Sequence, residues 1–339
     1  MKTTLCTRVG IEVPIIQAPM GGAVGPALAS AVSNAGGLGM LALWRADVET
    51  MRKQIRETRA LTSKPFGVNL NLEFPQDERL DVCLAEKVPV ISFFWREPGA
   101  LVHRAKEAGA IVLQTVASAN MARRAVESGV DVVVAQGWEA GGHVRGTIAT
   151  LPLIPAVVDV VGTTPVVAAG GIADGRGLAA VLALGAAGAW IGTRFLASQE
   201  ATIHPRYRER LLSATEDDTV FLDELFDMAA YPSSPTWVGW HKAPHRVLRN
   251  KTVETWEAAG RPPSGARPGE GEVIARSRSI GEIVRYQVYT PGTDVEGDID
   301  ALSLWAGQSV GLVSEIKPAG DIVREIVAQA QCTLGKLAQ

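Results

Sequence analysis

Short apolar, β-branched runs recur along the first 195 residues, and stretches with apolar positions three and four apart separate them. The runs predict strands at Pro14–Gln17, Gly39–Leu43, Phe66–Leu70, Val90–Phe93, Ile111–Gln114, Val130–Ala135, Pro165–Ala169 and Ala189–Gly192. The intervening stretches predict helices at Ala27–Ala35, Val48–Thr58, Gly99–Ala108, Ala119–Ser128 and Leu178–Leu184, several followed by a glycine at the C-cap. Strands alternating strictly with helices imply a parallel sheet covered on both faces. Eight such units suit closure into a (β/α)8 TIM barrel of the α/β class better than an open doubly wound sheet.

After Phe195 the rhythm breaks. An Arg/Glu-rich helix is predicted over Pro205–Ala214 and an acidic helix over Asp217–Ala229, followed by Trp237, Trp240 and Trp256 in mixed sequence and a turn-rich tract from Gly260 to Gly271. Residues 201–299 therefore read as a mostly helical insertion roofing a barrel made of residues 1–200 plus 300–339, with Asp321–Leu337 as the closing amphipathic helix.

Composition narrows the function classes. An apolar fraction of 47% with 20% charged residues and 35 glycines is that of a compact α/β protein with many tight strand-to-helix turns. The net charge of −3 comes without a long run of either sign, so no row of phosphates is matched and nucleic acid is not an expected partner. Cys6, Cys83 and Cys332 show no CxxC or Cys/His metal spacing, which fits a reducing compartment. No signal-like apolar core precedes Glu12, and the longest apolar stretch, Leu178 to Gly192, is too short to cross a membrane. A cytoplasmic protein without a membrane partner is expected.

In a barrel of this kind the working residues follow the C-terminal ends of the strands. Those positions hold Gln17-Ala18-Pro19-Met20-Gly21-Gly22, Asn69, Gln114, the run Gln136 to His143, Ala169-Gly170-Gly171-Ile172 and Gly192-Thr193-Arg194-Phe195. Adjacent glycines let backbone N–H groups close on an oxyanion, Thr193 adds a hydroxyl donor, and a following helix N-terminus would add its dipole. The last two loops are where such barrels hold phosphate. Each glycine loop taken alone would serve equally as a tight turn. Asn69, Gln114 and Gln136 offer uncharged donors and acceptors suited to a flavin's pyrimidine edge, with helix capping the alternative for Gln114. His143 alone of five histidines lies at a strand end, where it could take a proton near neutral pH. His103, His204, His241 and His245 read as structural.

Gly307-Gln308-Ser309-Val310-Gly311 matches a nucleophile elbow, but no histidine follows residue 245, which disfavours a serine hydrolase. No spaced G-x-G-x-x-G, P-loop, HExxH or CxxC occurs, so no dinucleotide fold, nucleotide loop or metal is expected. A phosphate-sugar isomerase or aldolase could use the same anion loops, but no lysine stands at a strand end to form a Schiff base.

Gln17-Ala18-Pro19-Met20-Gly21, Gly67-Val68-Asn69, Ala135 to His143, Ala169-Gly170-Gly171-Ile172, Gly192-Thr193-Arg194-Phe195 and Ala306-Gly307-Gln308-Ser309 together resemble the nitronate monooxygenases, once called 2-nitropropane dioxygenases, over nearly the whole chain. The resemblance implies an FMN-containing barrel in which Gln136, Gly141, Gly171, Trp190, Ile191, Gly192 and Thr193 contact FMN, with Asn69 and Met20 near its ring. Ala18, Gly21, Gly142, Gly170 and Gln308 complete the expected cofactor set. His143 matches the family's catalytic histidine, which removes a proton from a nitroalkane or steadies the nitronate before the flavin meets O2. The implied activity is oxidation of alkyl nitronates by O2 to carbonyl compounds and nitrite. Its runner-up is an NAD(P)H-dependent FMN reductase acting on quinones or enoyl thioesters. Assembly as a homodimer is left open. Two departures make the wall more aromatic: Ser92-Phe93-Phe94-Trp95-Arg96 replaces the family's Ser-Phe-His-Phe-Gly, and Trp190 stands where Gln is common.

Overall fold

The computed structural model describes residues 1–227 and 243–337. All eight predicted runs are strands: β1 (Ile15–Gln17), β2 (Gly39–Ala42), β3 (Phe66–Asn71), β4 (Val90–Phe94), β5 (Ile111–Val116) and β6 (Val132–Gln136) come first. A two-residue strand, β7 (Gly142–His143), precedes β8 (Val166–Ala169) and β9 (Gly188–Ile191). Every barrel pairing is parallel, in the order β1, β9, β8, β6, β5, β4, β3, β2. Hydrogen bonds from Gln17 N–H to Leu38 O and from Leu38 N–H to Ile15 O, both 2.9 Å, bring β1 to the chain entering β2 and close the ring.

Alternation along each strand divides the core in two. Ile16, Met40, Val90, Leu113, Val132, Val134 and Val167 fill the barrel interior. Ile15, Leu41, Val68, Ile91, Val112, Val133, Ala168 and Ile191 face the helical layer. A short helix the sequence reading did not anticipate, Thr4–Val9, plugs the bottom with Leu5, Cys6 and Val9. The Thr3 hydroxyl fixes it by donating to Ala187 O at 2.5 Å.

The outer helices start where side chains cap them. Asp47 accepts from Thr50 N–H at 2.8 Å before Val48–Leu61, and Ser118 accepts from Met121 N–H at 3.3 Å before Ala119–Glu127. The closing helix, Ala319–Leu337, packs on Gly175–Ala183 so closely that a Cβ on Gly175 would lie 2.4 Å from Ala330 N.

The segment after β9 carries more strand than the expected mostly helical insertion. Beyond helix Pro205–Ser213 come β10 (Thr219–Leu222), β11 (His245–Leu248), helix Lys251–Ala258, β12 (Val273–Ser277), β13 (Gly281–Val284) and β14 (Val295–Gly297). The expected acidic helix over Asp217–Ala229 is a correction. A reciprocal Thr215/Asp218 cap closes one 3-10 turn at Glu216–Asp218, and the β-branched and aromatic run that follows pairs antiparallel with β11. Residues 228 and 229, Trp237, Trp240 and His241 lie outside the described residues. Among the described residues, no helix is long and apolar enough to cross a membrane, and no group of three or more His, Cys, Asp or Glu could hold a metal ion.

Candidate active site

The C-terminal end of the barrel opens into a cavity of about 740 Å³. The loop after β1 contributes Ala18, Met20 and Gly21. Inward-facing strand positions contribute Asn69, Gln136 and Trp190. Gly141, Gly142 and His143 line it beyond β6, Gly170 and Gly171 beyond β8, Gly192 and Thr193 beyond β9.

Two members of the expected set are elsewhere. Ile191 is one residue out of phase with Trp190, so it packs against the helices. Gln308 does not line the cavity; its N–H donates to Glu139 O at 3.0 Å, and its neighbours Gly307 and Ser309 reach the cavity instead. Gln114 is out of phase with the interior Leu113 and does not line the cavity, its buried Oε1 having no hydrogen-bond partner among the described residues, while Asn71, two residues after Asn69, lines the cavity. Phe94, from the aromatic run expected in the wall, lines the cavity too, whereas Trp44, Arg45, Tyr289 and Trp305 line it without having been expected there. Asn71 had a signal in its parity with Asn69.

The glycine loops form a cradle that side chains would fill. Gly170 and Gly171 sit at φ 101° and 73°, and a Cβ on Gly170 would be 2.9 Å from Gly137 O. A Cβ on Gly141 would come within 2.5 Å of Gly307 N. Thr193 Oγ1 accepts from Gly307 N–H at 3.0 Å, which leaves its own hydroxyl hydrogen to donate. The helix after Gly171 adds less than expected, because the Asp174 carboxylate already accepts from Arg176 and Gly177 N–H at its start. The cradle is thus one of amides and a hydroxyl, and this donor set fits a phosphate oxyanion. Replacing Gly171 by Val puts a β-branched residue at φ 73°. That strain, plus a side chain at the cavity wall, is expected to weaken flavin binding about tenfold or more. Visible absorbance per mole of protein reads the result, and normal flavin content would contradict the placement.

The carboxamides are partly committed. Gln136 Nε2 donates to His143 O at 3.1 Å and its Oε1 accepts from Arg145 N–H at 3.4 Å, closing the loop from β6 to β7, while Asn69 Nδ2 reaches Ser92 O at 3.3 Å. Each amide retains capacity for a ligand. Glu139 anchors the same loop by accepting from Thr150 N–H at 2.9 Å and from its hydroxyl at 2.9 Å.

His143 stands among rings: Trp305 at 5.3 Å, His245 at 5.7 Å and Trp95 at 6.2 Å between centroids. Burial, then His245 and the Arg45 cation, hold its pKa well below the ordinary histidine value. The shift favours the neutral imidazole, the form in which a histidine can accept a proton. Arg45 and Asp294 are the charged residues lining the cavity among the described residues. Asp294 is occupied by the Ser277 and Ser279 hydroxyls at 2.6 and 2.7 Å, and the Arg45 guanidinium stacks on Trp44 at 4.4 Å.

A parallel eight-stranded barrel with an anion cradle at its last two turns, carboxamides across the mouth and a neutral imidazole beside them has the parts of a flavin-dependent oxidoreductase. The sequence model of the family described as nitronate monooxygenase matches residues 2–78 and 71–329. The chain belongs to the nitronate monooxygenase family, whose flavin-dependent oxidoreductase class it shares. A nitronate monooxygenase of Paraburkholderia phytofirmans is 32% identical over 100% of this chain and 98% of that protein. The (3aS,4S,5R,7aS)-5-hydroxy-7a-methyl-1-oxo-octahydro-1H-indene-4-carboxyl-CoA dehydrogenase of Mycobacterium tuberculosis is 40% identical over 77% of this chain and 70% of its own length. Its namesake in Rhodococcus jostii is 34% identical over 97% and 96%. Among solved structures, FabK from Thermotoga maritima superposes with a TM-score of 0.82 at 37% identity, covering 100% of this chain and 99% of that one.

Proposed function

We propose that this protein is an FMN-dependent oxidoreductase acting on a carbon acid activated by a coenzyme A-type thioester, with His143 as proton acceptor. The observation that carries the reading is that His143 and the Arg45 cation line the same cavity. Loss of a proton beside a thioester carbonyl leaves negative charge on the substrate, which a nearby guanidinium favours. FMN, its phosphate in the cradle, would supply acceptance or return of the hydride. The glycine loops would hold the phosphate, and Asn69, Asn71 and Gln136 would meet the ring's polar edge.

The shape of the cavity favours a thioester over a small nitronate. Its lining includes His143 as well as the exposed Ser279 and Thr293, and a cavity of about 740 Å³ that reaches the surface suits a reacting group carried on a long arm. Two relatives named as carboxyl-CoA dehydrogenases support the same class. The second reading, oxidation of alkyl nitronates by O2 to carbonyl compounds and nitrite, is favoured by the family model and the relative matching the full chain. It needs the same base.

Anaerobic mixing separates them. FMN-loaded protein is combined in turn with an acyl-CoA, with NADH or NADPH, and with an alkyl nitronate, and the flavin's visible absorbance is followed. Bleaching by the acyl-CoA, or reoxidation of NAD(P)H-bleached flavin by an enoyl-CoA, is the expected result. Bleaching by the nitronate alone would overturn the thioester in favour of the second reading.

A further inference from the structure

The segment carrying His143 has little structure of its own. β7 is two residues long, and its only ladder among the described residues is to β11, with His143 opposite His245 and Gly142 opposite Arg246. Val144 N–H adds a bond to Pro244 O at 2.8 Å. The imidazole facing the cavity therefore takes its backbone position from the Gln136 side chain on one side and from a strand about 100 residues further along the chain on the other.

The two residues of β11 work on opposite faces. Arg246 is 2% exposed, and no carboxylate lies within ion-pair distance of it among the described residues. Its Nε and Nη2 both donate to Trp138 O, at 3.3 and 3.1 Å, and its Nη1 donates to Thr219 Oγ1 at 3.3 Å. The guanidinium lies 5.2 Å from the Trp138 ring centroid and 5.7 Å from that of Phe221. A buried cation used in this way grips the start of the Trp138–His143 loop, while the ladder holds its end. On the other face His245 is fully buried and satisfied at both ring nitrogens. Nε2 accepts from Phe226 N–H at 3.4 Å, so Nδ1 carries the hydrogen and donates to Ala243 O at 2.8 Å. This locks one neutral tautomer against His143 and Trp305.

We infer that Arg246 and His245 are positioning residues for His143: the insertion reaches back through β11 to clamp the catalytic loop at Trp138 and to wall the imidazole. The roof is then part of the proton-transfer apparatus. This inference rests on reading His143 as the proton acceptor, and its test keeps the two separable.

Arg246→Met, Arg246→Lys and His245→Phe are prepared as FMN-loaded full-length proteins and studied below their unfolding temperatures. Flavin content should stay near wild type, because none of the three changes a residue lining the cradle. In Arg246→Met, kcat should fall about 10- to 100-fold with KM within about threefold, the cost of misplacing a reacting group without losing binding. Lysine should recover only part, since a point charge does not reproduce the two-pronged hold on one carbonyl. In histidine-labelled protein, NMR titration should show the His143 midpoint moving up towards 6.5 in Arg246→Met and His245→Phe as the wall loosens, with the resonance assigned by its loss in His143→Asn. That readout needs no substrate. A moved midpoint alongside an inert enzyme would sink the functional reading but leave the positioning role standing. Unchanged kcat and unchanged His143 titration in variants that merely unfold at lower temperature would overturn it. If Arg246→Met does not fold, Arg246→Lys and His245→Phe carry the same test.

Discussion

Asparagine at position 143 is expected to lower turnover by about a hundred- to ten-thousand-fold, the usual worth of a positioned general base, while flavin stays bound. The glycine and threonine cradle expected to hold the flavin's phosphate lies beyond β8 and β9, away from residue 143, so visible absorbance per mole should be unchanged. The loss should be larger for a neutral carbon acid than for its preformed anion, because only the former needs the proton removed. Equal losses on both would show that His143 is not the base. The pH profile follows from the lowered pKa of the buried imidazole. The imidazole accepts a proton only when neutral, so wild-type activity should hold through pH 6.5 and fall only further into acid. Stability has the same sign. The unfolded chain takes up protons at its histidines first as pH falls below about 6.5. His143, and His245 with its pKa pushed down to about 4, therefore make the fold progressively less stable over that acid window.

Asp227→Asn is expected to cost about 3–5 kcal/mol, the penalty for stranding one member of a buried ion pair. Asp227 is 4% exposed and Arg267 5% exposed; they form a two-pronged bridge at 2.6 and 3.0 Å. Arg267 Nη1 also donates to Leu225 O at 3.1 Å, and its guanidinium lies 5.4 Å from the Tyr286 ring centroid. Asparagine leaves the guanidinium buried without its counter-charge. Denaturant unfolding measures the loss, and Asp227→Asn combined with Arg267→Met should recover much of it, because removing both charges removes the desolvation cost. A loss under about 1 kcal/mol would mean that water reaches Arg267 after all. The pair matters for the site as well: Phe226, between Leu225 and Asp227, donates its N–H to His245.

Parity explains most of what was and was not legible about the site. The strand ends were found, and Asn69, Gln136 and Trp190 face the cavity. Ile191 and Gln114 are equally close to strand ends yet do not line the cavity. Strands buried on both faces carry apolar residues in both phases, so the sequence has no polar alternation from which to read the inward side. The His143 neighbourhood was legible as glycines and a histidine, whereas Arg246 and His245 gave no local sign of their role.

The chain by itself specified eight strand-and-helix units, the closure they imply and the glycine turns that form a cradle, because periodicity, capping side chains and left-handed glycines act within a few residues. It also carried the family's motifs. The acidic segment after Thr215 shows the limit of local reading: its composition suited a helix, but pairing with β11 made Thr219–Leu222 a strand. The charge state of His143, the clamp by Arg246 and the opposed phases of Trp190 and Ile191 were set only by long-range packing. Burial and electrostatic fields depend on which distant residues come together, and no local pattern encodes that.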